Sequence, residues 1–408
     1  MAKSSHFTGQ PIFNQLLQLI PRSVVQQLAE HHHANRYSKR FGAYEHVVTM
    51  LYAVLNRCTS LREVVGGMQA CSSRLHHLGI RHSPRRSTLS DANSRRTAAF
   101  FEQLYHAVYK LHYGTLPDSL IGKTLEEQLF IVDSTTISLF SEVLKGAGSY
   151  GLNGKKKGGI KAHMCVRATH DAACFINLTA AKTNDNTFLP HIHLPAGAVV
   201  VFDKGYRNYQ QLINWGQQHI SWVTRLANSA ITQTVAQQPI SAEQQQLGIV
   251  ADEHILLGNP ATAHRVVPQP ARLIHFKDPV TGKLFQFLTN NLELSPATIA
   301  GLYKRRWQIE LIFKRIKTTF QLHFFMGDSE NAIRIQLWCT MLADLLLKII
   351  KDRLKKAAAK WSMANLAGIV RLHLTTYIDL MAFLKQPEKA LLGYKDPYHR
   401  QQLALFPT

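Results

Sequence analysis

AVVVFDKGYRNYQQLINWGQQHISWVTRL, residues 198–226, sets the fold class. Val199–Phe202 is a short apolar run ending in a carboxylate and Lys-Gly-Tyr, the pattern of a strand buried on both faces. Residues 209–219 then read as a helix, and ISWVTRL (220–226) as the next strand. Upstream, LFIVDST (129–135), IKAHMCVRAT (160–169) and ACFINLTAAKT (173–183) read as three more strands. Downstream, KLFQFLTN (283–290) returns to strand, and Ser295-Pro296 supplies a cap and a first-turn proline for a helix. Helices mixed with near-continuous apolar strands predict an α/β core.

The flanks read differently. Residues 11–20, 23–34, 44–56 and 61–78 carry apolar residues at helical spacing. Residues 227–284 are rich in Gln, Ala and Val and punctuated by Pro260, Pro268 and Pro270. There Glu243, Asp252, Glu253 and Asp278 balance Arg265, Arg272, Lys277 and Lys283, which predicts a β-rich insertion. Helices are expected from Ser295 to the end. The expected organisation is a helical region over 1–120, an α/β domain over 121–330 with its insertion at 227–284, and a helical region over 331–408. No internal repeat is visible.

Forty-seven Lys and Arg against 26 Asp and Glu give the 408-residue chain a formal charge of +21 and a pI near 9.9. Such a field suits a polyanion, although a ribosome-like or merely adhesive basic protein shares it. MAKSSHFTGQPIF lacks a signal-peptide core, and Ile333–Ile350 is broken by Arg334, Asp344 and Lys348, so no membrane partner is expected. Five scattered cysteines without a CxxC pair fit a reduced cytoplasm. His31-His32-His33 and the pair His191 and His193 have no companion ligand motif and read as solvated.

Basic segments have two readings each. In RHSPRRSTLSDANSRR (81–96), Pro84 breaks structure and Ser87 or Ser90 is expected to cap a helix through Phe100 and Leu104, with Arg81, Arg85, Arg86, Arg95 and Arg96 around its start. That arrangement suits phosphate contact or is an ordinary solvated helix start. GLNGKKKGGIK (151–161) reads as a lysine-tipped loop, and KIIKDRLKKAAAK (348–360) as an amphipathic basic helix. Each grips DNA or solubilises the chain.

The chemistry sits elsewhere. LFIVD and VVVFD each end a buried strand in a carboxylate, Asp133 and Asp203. Hard divalent cations take such oxygens, though one strand-end Asp alone is more often a turn residue. The third element is GLYKRRWQIELIFKRIKTTF (301–320). At about 100° per residue from Tyr303, Arg306, Glu310, Lys314 and Lys317 fall with it inside an arc of about 80°. Leu302, Ile309, Ile312, Phe313, Ile316 and Phe320 take the adjacent side. A salt-bridge stripe, with Glu310 between Arg306 and Lys314, is the competing account.

Tyr303, Arg306, Glu310 and Lys317 match Tyr-x2-Arg-x3-Glu-x6-Lys, which resembles the signature of DDE transposases of the bacterial insertion sequence four family. Asp133 in IVDST and Asp203 in FDKGY are similar to that family's first and second catalytic aspartates. The likeness extends over roughly residues 120–330 and includes a β-rich insertion before Glu310; FTGQPIFNQLLQLIP is similar in style only. The resemblance implies an RNase H-like core, two Mg²⁺ or Mn²⁺ ions on Asp133, Asp203 and Glu310, and cut-and-paste movement of DNA in a bacterial cytoplasm, nucleoid-associated when bound. It implies double-stranded partners, the element's terminal inverted repeats and the target, joined by a homodimer. Tyr303, Arg306, Lys314 and Lys317 are then expected on DNA phosphates, with Arg225 approaching from its strand and Arg85 and Arg86 as further contacts. Members use an insertion tryptophan to hold a flipped base; no Trp lies between Trp222 and Trp307, so that role does not transfer. A nuclease of the same fold that does not join DNA, and a nonenzymatic DNA-binding derivative, are the alternatives.

Overall fold

The computed structural model describes residues 10–138, 159–258, 268–322 and 324–388. The lysine tip of the 151–161 loop lies outside them. The chain divides into two compact units, Met1–His112 with Arg315–Thr408, and Tyr113–Lys314.

The first unit opens with six helices: α1 (Ile12–Leu17), α2 (Arg22–His31), α3 (Ala43–Leu55), α4 (Leu61–Ala70), α5 (Arg86–Arg95) and α6 (Ala98–Tyr113). Residues 61–78 do not form one helix, because α4 stops at Ala70 and a 3₁₀ turn covers Ser72–Leu78. Neither Ser87 nor Ser90 caps a helix. Both lie inside α5, whose N-cap Arg85 makes no side-chain cap bond. Arg96 is not a surface cation either: it is buried, and donates to the carbonyls of Ala34 and Phe41 and to Ser38 Oγ.

Among the described residues, the second unit is built on one sheet of nine strands. A single-turn helix, α7 (Leu125–Gln128), is closed by a capping box between Thr124 and Glu127. It leads into β1 (Leu129–Ser138), β2 (Gly159–Arg167), β3 (Ala172–Ala180) and β4 (Val199–Phe202). Then come α8 (Tyr209–Gln217), β5 (Ser221–Arg225), β6 (Thr232–Gln237), α9 (Ala242–Gln246), β7 (Ile249–Leu257), β8 (Gln269–Lys277) and β9 (Leu284–Thr289). The order across the sheet is β3-β2-β1-β4-β5-β9-β8-β7-β6. β1, β4 and β5 are parallel, and every other neighbouring pair is antiparallel. All four residues of β4 are buried, which is why its sequence does not alternate. The strands within 227–284 extend the same sheet through β9.

α10 (Pro296–Lys304) starts as its sequence dictates: Ser295 Oγ accepts from Thr298 N at 3.1 Å and Pro296 fills the first turn. The Tyr303–Phe320 segment is not one helix. The chain steps at Arg305 and Arg306 into α11 (Trp307–Thr319). Arg305 is drawn aside by a two-pronged bond to Glu126 at 2.8 and 2.7 Å. The division between units falls inside α11.

The first unit resumes with α12 (Glu330–Arg353), α13 (Met363–Leu372) and α14 (Leu380–Lys385). α12 packs on α3 and buries most of its length. Its polar residues are satisfied in place. Asp344 accepts from Arg315 at 2.9 and 2.7 Å, Gln336 donates to Phe324 O at 2.8 Å, and Lys348 pairs with Asp352. Residues 348–360 are therefore not one amphipathic basic helix: Lys348 is buried, α12 ends at Arg353, and a 3₁₀ turn spans Lys355–Lys360. No described helix is long and apolar enough to cross a membrane.

Candidate active site

β1 and β4 run parallel in register, with Val132 opposite Phe202. Asp203 follows the last residue of β4, whereas Asp133 lies inside β1, which runs on to Ser138 instead of ending in the carboxylate; the register still sets the two side by side, where strands lie about 4.8 Å apart. α10 and α11 bring the remaining groups. Arg306 Nη1 donates to Asp133 Oδ2 at 2.6 Å, and its Nη2 to Glu310 Oε1 at 2.5 Å. Tyr303 Oη donates to Asp203 Oδ1 at 3.0 Å, and Arg225 Nη2 to the same oxygen at 2.7 Å. α11 is pinned by Gln308, whose amide reaches Asp171 Oδ1 at 3.1 Å.

Three carboxylates, two guanidiniums and a phenol thus form two hydrogen-bonded groups, Asp133–Arg306–Glu310 and Asp203–Arg225–Tyr303, which meet where the Arg306 guanidinium lies 5.9 Å from the Tyr303 ring centroid. Lys314 is exposed on α11, beyond Glu310, and Lys317 falls on the other side of the unit division. Burial lowers the pKa of Lys317. Arg85 and Arg86 are exposed at the start of α5, in the other unit.

Burial pushes the Asp133 carboxyl up to about 6, with the Asp203 and Glu310 charges adding to it. The Ser134 N–H bond and the Arg306 charge work against this without cancelling it. Asp203 ends below its usual value: burial raises it, but the bond and charge of Arg225 and the Tyr303 hydroxyl outweigh burial. Burial, followed by the Asp203 charge, lifts Tyr303 to about 12, so its hydroxyl stays protonated as a donor.

The donor set suits a hard divalent cation: carboxylate oxygens from β1, from the residue after β4 and from α11, with burial disfavouring ionisation of Asp133 unless a positive charge is near. In this structure Arg306 supplies that charge, spanning Asp133 and Glu310. Among the described residues no three or more His, Cys, Asp or Glu side chains gather closely enough to hold a metal ion.

Sequence reading passes over a second polar group beside β1. Asp185 Oδ1 accepts from Ser134 Oγ at 2.9 Å and Lys161 Nζ at 3.1 Å, with His163 Nδ1 at 3.6 Å. No motif marks Thr183-Asn184-Asp185-Asn186; its one signal is an Asn that can cap a tight turn.

A family model described as the transposase DDE domain matches residues 124–346, and a domain of unknown function (DUF4372) matches residues 8–81. The chain belongs to the DDE transposase family, and its function is that of a DNA transposase. Its relatives point the same way. A putative transposase of Sinorhizobium fredii, y4zB, is 32% identical over 271 residues, spanning 65% of this chain and 72% of the relative. A probable transposase for an insertion sequence element of Geobacillus stearothermophilus is 26% identical over 229 residues, 56% of this chain and 58% of the relative. A putative insertion-sequence transposase of Synechocystis is 25% identical over 280 residues, 65% of this chain and 71% of the relative.

Proposed function

We propose that this transposase cuts DNA at the ends of an insertion sequence and joins them to a target, using two divalent ions held by Asp133, Asp203 and Glu310. The observation that carries the reading is the pair of aspartates set side by side by the β1–β4 register, one of which, Asp133, shares Arg306 with Glu310. The strand order β3-β2-β1-β4-β5, with three parallel strands, supports an RNase H-like core, and β6, β7 and β8 then form its insertion. The Tyr303, Arg306, Glu310 and Lys317 spacing supports membership of the insertion sequence four group. We take the helical segments before and after the core as the 1–120 and 331–408 domains, the first for DNA binding.

Two Mg²⁺ or Mn²⁺ ions supply an activated water and a stabilised leaving oxygen when bound. Asp133, Asp203 and Glu310 would hold the ions between them. The chain's own cations do the rest. Arg306, Arg225, Lys314 and Lys317 neutralise phosphates of the scissile strand, and Tyr303 donates a hydrogen bond from a hydroxyl kept protonated. Arg85 and Arg86, exposed at an uncapped helix start, take phosphates of the double-stranded terminal repeat. A homodimer pairs the two ends and presents them to target DNA.

The test sets cleavage against binding. Asp133→Ala, Asp203→Ala and Glu310→Ala should each abolish Mg²⁺-dependent cleavage of a terminal-repeat duplex while gel-shift affinity stays near wild type, because Lys and Arg supply most of that affinity. Retained cleavage in any one variant removes that residue from the site.

A further inference from the structure

Beyond Val132 and Phe202 the β1–β4 ladder stops, although β1 itself continues, with Asp133 opposite Met164 of β2. One turn bonds to the segments that follow both aspartates. It is a 3₁₀ turn, Asp185–Thr187, closed by Asn184, whose side chain accepts from Asn186 N at 3.0 Å. Asp185 holds Ser134, the residue after Asp133, and the Ser134 N–H donates to Asp133 Oδ1 at 2.8 Å. Asn186 holds the segment after Asp203: its side-chain oxygen accepts from Arg207 N, and its carbonyl from Asn208 Nδ2 at 3.4 Å. Asn208 in turn caps α8. Lys161 ties the turn to β2, donating to Thr183 O at 2.9 Å as well as to Asp185. Tyr206, 3% exposed, lies among these groups: after burial, the charges of Asp133, Asp185 and Asp203 all push its hydroxyl pKa up.

We propose that Asp185 and Asn186 form a clasp that sets the spacing and aim of Asp133 and Asp203, which makes Asp185 a positioning residue of the DNA-cleaving site. The inference rests on the assignment of those two aspartates as metal ligands. Two adjacent residues of one turn take the segments that follow Asp133 and Asp203, so moving the turn moves the two carboxylates relative to each other. Groups that orient metal ligands in this way change metal affinity or activity by about 10–100-fold when removed. Misplacing a reacting group by about 1 Å has effects of similar size.

The experiment uses the full chain, with Mn²⁺ as probe. Mn²⁺ affinity is measured by electron paramagnetic resonance without DNA, thermal unfolding is followed in EDTA, and cleavage is recorded against Mg²⁺ concentration. Asp185→Ala should weaken Mn²⁺ binding about 10-fold or more and raise the Mg²⁺ needed for half-maximal cleavage by a similar factor. Asp185→Asn should recover part of both, because its amide oxygen still accepts from Ser134 and Lys161. Mn²⁺ binding and cleavage within twofold of wild type in Asp185→Ala overturn the clasp. Should that variant not fold, Ser134→Ala and Asn186→Ala decide, since each removes a single group. A loss of Mn²⁺ affinity of about threefold or more in either supports the clasp, and wild-type affinity in both overturns it. A wild-type chain that binds no Mn²⁺ refutes the metal-site assignment itself, and the clasp falls with it.

Discussion

Two arginine–carboxylate clusters in the sheet-bearing unit are finished in opposite ways. In the strands between β5 and α10, Arg272 grips Asp252 with both prongs, Nε at 2.8 Å and Nη2 at 2.6 Å, and its third nitrogen donates to Leu294 O at 2.6 Å. Both side chains are almost fully buried, 7% and 4% exposed. At the active site, Arg306 divides itself between two carboxylates, one Nη to each, and its buried Nε has no hydrogen-bond partner; nor has that of Arg225. The first cluster is a closed structural joint whose charges cancel one to one. The second holds two carboxylates on one shared cation and a third on Arg225, with donor capacity left over. A site that must admit metal ions and phosphates needs counter-charges that can be exchanged, and an arginine spread across two partners is easier to redirect than one locked in a bidentate pair.

Substitutions can break or sharpen this contrast. Arg272→Met should have the largest effect on stability, a loss of about 3–5 kcal/mol in urea unfolding, because it strands the buried Asp252 charge. A loss below about 1 kcal/mol would mean that the joint is not structural.

Asp133→Asn should have the next largest effect, with the opposite sign. The folded pKa of Asp133 is raised to about 6, above its unfolded value, so the fold favours the protonated acid. That contribution is complete below the unfolded pKa and is lost as pH rises through about 6. Without divalent ions, Asp133→Asn should therefore stabilise the protein by about 2 kcal/mol at pH 8 and by much less near pH 4. A gain independent of pH would reject burial of the charge as its cause.

Arg306→Met should change stability by only about 1 kcal/mol, since its partners remain partly solvated, yet lower cleavage at least about 100-fold. A stability loss matching that of Arg272→Met would erase the distinction between the clusters. The smallest effect is expected for Lys317→Ala: near-normal stability and a slope of log affinity against log salt shallower by about one unit, with Arg315→Ala as a contrast because Arg315 is committed to Asp344. An unchanged slope would remove Lys317 from the DNA contacts.

What the sequence makes legible is what local patterning encodes. Apolar runs ending in Asp133 and Asp203, the Ser295-Pro296 start of α10, and the placing of Tyr303, Arg306 and Glu310 together all follow from period and spacing. The helical wheel brings those three to one side although the chain steps at Arg305, since Glu310 and Arg306 keep their four-residue relation. The misreadings share a cause in partners distant along the chain. Arg96 looks like a surface cation until the carbonyls of Ala34 and Phe41 close over it. Arg305 is taken by Glu126, far back in the chain. Asp185 carries no local signature because its partners, Ser134 and Lys161, sit on other strands.

The Val132–Phe202 register has a consequence for how this gene tolerates mutation. Side chains on a strand alternate between faces, so a register is a whole number: it cannot drift, only jump. One codon inserted between Leu129 and Asp133, or between Val199 and Asp203, is expected either to turn an aspartate to the opposite face with the rest of its strand or to force a bulge, and in both cases to cost activity. The same codon added in a surface turn would be absorbed by the loop. Length changes in this chain therefore divide sharply by position, harmless in one place and fatal to activity a few residues away.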